Sequence, residues 1–115
     1  MESEFSLLAK RIADSCNLEV EILELENVEP VELCTEIQDV IESSAKSLGL
    51  RSRRMPSGAG HDAQSLSRIC RSGMVFIPSV DGVSHSPMEF SNWEDCLNGA
   101  NILLRAAVVL ANSAI

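Results

Sequence analysis

Apolar residues recur at Phe5, Leu8, Ile12 and Cys16, three or four positions apart, and this spacing predicts an amphipathic helix over roughly residues 4–16. The period then changes. The stretch "NLEVEILELEN" alternates apolar and acidic positions, which predicts a half-buried strand over residues 18–26. Two apolar residues adjoin at Ile22 and Leu23, so a bulge is expected there. A helix followed by a strand with one wet face belongs to an α+β layer.

From Val28 the character shifts. "VEP" reads as a linker-like break, and Pro30 can open a helix because its missing N–H has no intrahelical partner there. Leu33, Ile37, Val40, Ile41, Ala45 and Leu48 line one helical face, and Gly49 supplies a stop. "LRSRRM" carries weak strand character, and "DAQSLSRIC" reads as a short helix. "GMVFIP" is a bounded apolar run, the pattern of a strand buried on both faces. Ser91 and Glu94 match a capping box and predict a last helix running to about Asn112. Beyond residue 30 the order is therefore helix, short strand, helix, buried strand, helix, which points to an α/β sheet layered with helices. So few strands suit the end of a sheet whose other strands lie elsewhere.

Composition narrows the class. The 115 residues are one domain's worth or part of a larger one, and 45% hydrophobic content argues against disorder. A formal net charge of −8 argues against a nucleic-acid partner held through phosphates. The charge is uneven: twelve acids and two bases up to Glu42, then five acids and seven bases. A solvated acidic face accounts for the first part. Cysteines at 16, 34, 70 and 96 match neither a zinc ribbon nor a redox pair, and a cytosolic protein with reduced thiols is the expectation. Asn101 and Arg105 interrupt the C-terminal apolar run, so no membrane segment is expected.

Two histidine loops carry the candidate chemistry. In "MPSGAGHDAQ", the glycines free the backbone and let a ligand approach main-chain N–H groups. A helix starting near Asp62 would add positive potential, so the turn could hold a carboxylate. The alternative is a plain turn capped by His61 or Asp62, and composition leaves both open. In "DGVSHSP", His85 follows the apolar run, at the end where open α/β sheets place ligands. Such a histidine can bind metal, act as a base, or decorate a surface loop. Zinc sites need three or four protein ligands, and two histidines do not spell a set. No nucleophile elbow or phosphate-binding loop is present.

Together "MPSGAGHDAQ", "GMVFIPSVDGVSHSP" and "EDCLNGANILL" resemble the C-terminal end of the N-carbamoyl-L-amino-acid hydrolase and allantoate amidohydrolase group. That group belongs to the metallopeptidase-like amidohydrolases related to the aminoacylases. The resemblance implies that residues 28–115 are the C-terminal segment of a layered α/β metallohydrolase catalytic domain. Residues 1–27 would be the last helix and strand of an α+β lid or dimerisation domain. It implies two divalent metals (zinc, manganese, cobalt or nickel), a small carbamoyl or ureido substrate, a homodimer formed through the lid, and a cytoplasmic location. His85 in "GVSH" matches the family's last metal ligand. Gly58, Ala59 and Gly60 match the loop facing the substrate carboxylate, and His61 and Asp62 complete that motif. The other ligands and the general acid/base glutamate are expected upstream, so the metal site here is incomplete and the chain alone is expected to be inactive. The alternative function is a non-catalytic remnant acting only in folding or association.

Overall fold

The computed structural model describes residues 2–113 apart from Glu24 and Glu26, with only the backbone of Glu2. Among the described residues there are four α-helices: α1 (Glu2–Ser15), α2 (Thr35–Ser47), α3 (Asp62–Leu66) and α4 (Trp93–Asn112). A 3-10 turn, Val80–Gly82, lies between α3 and α4.

Helix α1 closes on Asn17, whose φ of 51° lets the Leu18 amide return to the Ala13 carbonyl at 2.9 Å. Helix α2 starts at Thr35 rather than at Pro30. The Cys34 amide donates to the Ser72 carbonyl at 3.0 Å, which holds the approach to the helix on a non-helical path. Its end is as expected. Gly49 takes φ +73°, its amide bonds Lys46 O at 3.0 Å, and the Leu50 amide bonds Ala45 O at 3.0 Å, the paired bonds of a Schellman stop.

The expected capping box at Ser91 and Glu94 does not form. Asn92 occupies the cap position without a side-chain cap bond, while Ser91 Oγ donates to the Pro78 carbonyl at 2.8 Å. That hydroxyl joins the two ends of the loop before α4. The helix begins where expected because Glu94 and Asp95 sit in its first turn, where the helix dipole favours them.

No strand is present among the described residues, so the sheet of the expected α/β architecture is not seen here. A ladder needs a neighbouring strand, and the segments 18–23, 51–56 and 74–77 have none beside them. Glu24 and Glu26, in the expected first strand, lie outside the described residues. The helix layer is present. Helices α2 and α4 pack together. The segment 73–77 lies on both: Gly73 sits beneath Ile37 and Ile41 of α2, and Ile77 presses on Gly99 of α4. Phe76 stays half exposed.

The interior is thin. Among the described residues the buried apolar ones are Ala13, Ala45, Ala63 and Ala106, and no large side chain is fully buried. Meanwhile Phe5, Leu8 and Ile12 of α1 and Trp93, Leu97, Leu104 and Val108 of α4 are exposed. The radius of gyration is 20.1 Å and the extents are 63 × 35 × 19 Å. A compact chain of this length would have a radius of roughly 13 Å. Among the described residues no helix is long and apolar enough to cross a membrane.

Candidate functional site

The glycine turn is built by Ser57. Its hydroxyl donates to the Ala59 carbonyl at 2.8 Å and accepts the Ala59 amide at 3.3 Å. Ala59 is thereby held at both polar atoms, while the amides of Gly58 and Gly60 have no acceptor among the described residues. Neither glycine adopts a positive φ, in contrast to Gly49 and Gly82. Conformational freedom is therefore not what these positions use. Space is: a Cβ at Gly58 would meet nothing within 4 Å, and one at Gly60 only Gln64 Oε1, at 3.8 Å.

His61 caps α3, with its backbone extended at φ −150° and Nδ1 accepting the Ala63 amide at 3.0 Å. That bond needs Nδ1 free of a proton, so the neutral ring carries its hydrogen on Nε2. His61 remains exposed, so Nε2–H is open to a ligand. Both readings of this residue, cap and contact, are compatible in one side chain. Helix α3 has only five residues, so its dipole adds little at the turn. Two side chains anchor the turn from outside. Gln64 Nε2 donates to the Glu29 carbonyl at 3.0 Å, tying α3 to the crossing segment 27–31. Arg54, just before the turn, bonds Asp39 and, at 3.0 Å, Glu42 on α2. Those carboxylates raise the Arg54 pKa further.

His85 stands in a loop closed at its base. The Val80 amide bonds the Phe90 carbonyl at 2.8 Å, beside the Ser91–Pro78 bond. Within the loop His85 adopts φ 55°, and its amide donates to Glu89 Oε2 at 2.9 Å. The imidazole is exposed and has no hydrogen-bond partner among the described residues. Among the described residues no hydrogen bond joins this loop to the glycine turn. Among the described residues no three His, Cys, Asp or Glu side chains gather into a set that could hold a metal ion.

A separate shallow groove of about 330 Å³ is lined by Glu32, Cys34, Ser67, Cys70, Arg71 and Ser72. Cys34 Sγ donates to Glu36 Oε2 at 2.9 Å. This bond, aided by backbone hydrogen bonding and the Arg71 charge, holds the Glu36 carboxyl below its usual pKa. Cys70 is exposed and Cys96 only half-buried. Sequence reasoning missed Ser57 and Gln64, and left Glu89 on a solvated face although it accepts the His85 amide. Their one common signal is proximity to the histidine motifs.

A helix-backed segment thus leads to an exposed histidine, and a separate turn offers free amides. The chain belongs to peptidase family M20/M25/M40, whose description it matches over residues 4–108. It is 42% identical over 104 residues to an N-carbamoyl-L-amino acid amidohydrolase of Geobacillus stearothermophilus, covering 90% of this chain and 25% of that protein. It is 34% identical over 94 residues to the allantoate amidohydrolase of Escherichia coli K12, covering 82% of this chain and 23% of that one. A crystal structure of an amidohydrolase/peptidase from Burkholderia cenocepacia superposes with a TM-score of 0.73 at 35% identity, over 98% of this chain and 28% of the other. The chain spans about a quarter of the length of the curated relatives it matches.

Proposed function

We propose that this chain forms the C-terminal quarter of a metal-dependent amidohydrolase that cleaves the carbamoyl or ureido C–N bond of an N-carbamoyl-L-amino acid or allantoate. In this reading residues 28–115 complete a layered α/β catalytic domain, and residues 1–27 end a lid through which two copies pair. His85 is one ligand of a two-metal centre. It suits that role as an exposed imidazole without an internal partner. The remaining ligands and the general acid/base glutamate would come from the rest of the polypeptide. Divalent metals bound there would supply Lewis acidity and lower the pKa of a bound water toward neutrality.

What this chain's own residues do can be derived further. The Gly58 and Gly60 amides and the His61 Nε2–H are three donors in one turn, suited to a substrate carboxylate. Ser57 fixes the turn by holding Ala59, so the donors are oriented before the substrate arrives. His61 spends Nδ1 on its own helix, which keeps Nε2 a donor rather than a base. The observation that carries the reading is His85 itself: a loop closed at its base displays a left-handed residue whose ring serves nothing internal.

The test is a chimera in which this chain replaces the matching quarter of the Geobacillus relative. The chimera should release ammonia from N-carbamoyl amino acids and bind metal, and His85→Ala should lose both while its melting temperature stays within a few degrees. A folded chimera without activity, or a His85→Ala variant with full turnover, overturns the proposal.

A further inference from the structure

We propose that Glu89 is a positioning residue that sets how His85 is presented; the proposal rests on the reading of His85 as a functional ligand. Among the described residues, three non-glycine residues adopt positive φ: Asn17, Asp81 and His85. Asn and Asp tolerate that region through their short polar side chains, and Asn17 does so to end a helix. Histidine also enters that region more readily than most residues. At His85 the left-handed backbone is held by a side chain, because the Glu89 carboxylate accepts the His85 amide at 2.9 Å.

The loop is built to return that carboxylate. The Glu89 amide bonds the Ser86 carbonyl at 2.9 Å, and the Met88 amide bonds Ser86 Oγ at 3.2 Å. Pro87, between them, offers no amide to compete. Glu89 therefore acts on the backbone of His85 and leaves the imidazole free. A one-residue change of φ at His85 would swing the ring, so the carboxylate fixes the ring's direction without touching whatever the ring binds. Glu89 carries this role as an acceptor, and a glutamine oxygen can replace it.

Two measurements test this. In the 115-residue chain, amide exchange at His85 should accelerate at least about tenfold in Glu89→Ala and stay within about threefold in Glu89→Gln, because the acceptor of that amide is lost only in the first. In the chimera, Glu89→Ala should lower kcat and bound metal by about 10–100-fold with KM within twofold, and Glu89→Gln should restore both. Unchanged exchange at His85 in Glu89→Ala sinks the Glu89 proposal alone. Full activity of the His85→Ala chimera sinks the reading beneath it. A Glu89→Gln chimera as damaged as Glu89→Ala, with its His85 amide still protected, would show that the carboxylate charge acts on the reaction directly and would overturn the positioning role.

Discussion

Gly60 can take a side chain, since its φ is not left-handed and a Cβ there meets only Gln64 Oε1. Gly60→Ala should therefore hold or raise stability, by about 0.4–1 kcal/mol, through a stiffer unfolded chain. If the Gly60 amide receives a substrate carboxylate, the same change should raise KM in the chimera. Unchanged KM in the substituted enzyme would return the turn to a purely structural part. His61 can be divided in the same way. His61→Ala removes the α3 cap and should cost about 0.5–2 kcal/mol. His61→Asn restores a capping oxygen without the imidazole N–H, so its melting temperature should recover while KM stays high. The histidines were legible in the sequence because rare residues beside glycines stand out. Ser57, Gln64 and Glu89 were not, because their importance comes from which backbone group each happens to reach.

Among elements, helices were legible and strands were not. The spacing of Leu33, Ile37, Ile41 and Ala45 describes a helix face whatever surrounds it, whereas "GMVFIP" describes a strand only if other strands flank it. The start of α4 was placed well for the wrong reason, because Ser91 bonds Pro78 rather than capping. Ser91→Ala should accordingly leave helix content unchanged and speed exchange of the Val80 amide, which closes the same loop base. Packing of segment 73–77 on the helix layer makes a second prediction. An alanine at Gly99 would bring its Cβ to 2.5 Å from Ile77 Cγ2. Gly99→Ala should cost about 1–3 kcal/mol from crowding, less about 1 kcal/mol from better helix propensity. Ile77→Leu, which removes that methyl, should rescue it. Finally, Glu36 titrates below the usual carboxylate range because the Cys34 thiol donates to it. A depressed carboxyl favours the folded chain above its ordinary pKa, and that contribution fades as pH falls through the lowered value. Cys34→Ala should move the Glu36 titration, followed by NMR, back toward the ordinary range.

At the scale of the whole molecule, the chain exposes 9726 Å². A compact monomer of this mass would show roughly 6,200 Å². The excess is rich in the apolar faces of α1 and α4, which explains why an ordinary hydrophobic content yields a core of four alanines. Composition foretold enough apolar material for a domain and could not foretell that most of it faces outward. The isolated chain should self-associate at micromolar concentration, seen by sedimentation, as those faces seek cover. It should also release no ammonia from N-carbamoyl amino acids with zinc, manganese, cobalt or nickel, because no three-ligand set exists among its described residues. Turnover that His85→Ala abolishes in the isolated chain would overturn that expectation.

The Gln64–Glu29 bond has a mechanical consequence. It joins α3 to the segment 27–31, so a shift of that segment would pull on the helix capped by His61. A single neutral hydrogen bond contributes about 0.5–1.5 kcal/mol, one to three times thermal energy. Such a tether would act as a clutch rather than a weld, passing small shifts of segment 27–31 to the glycine turn and releasing under large ones.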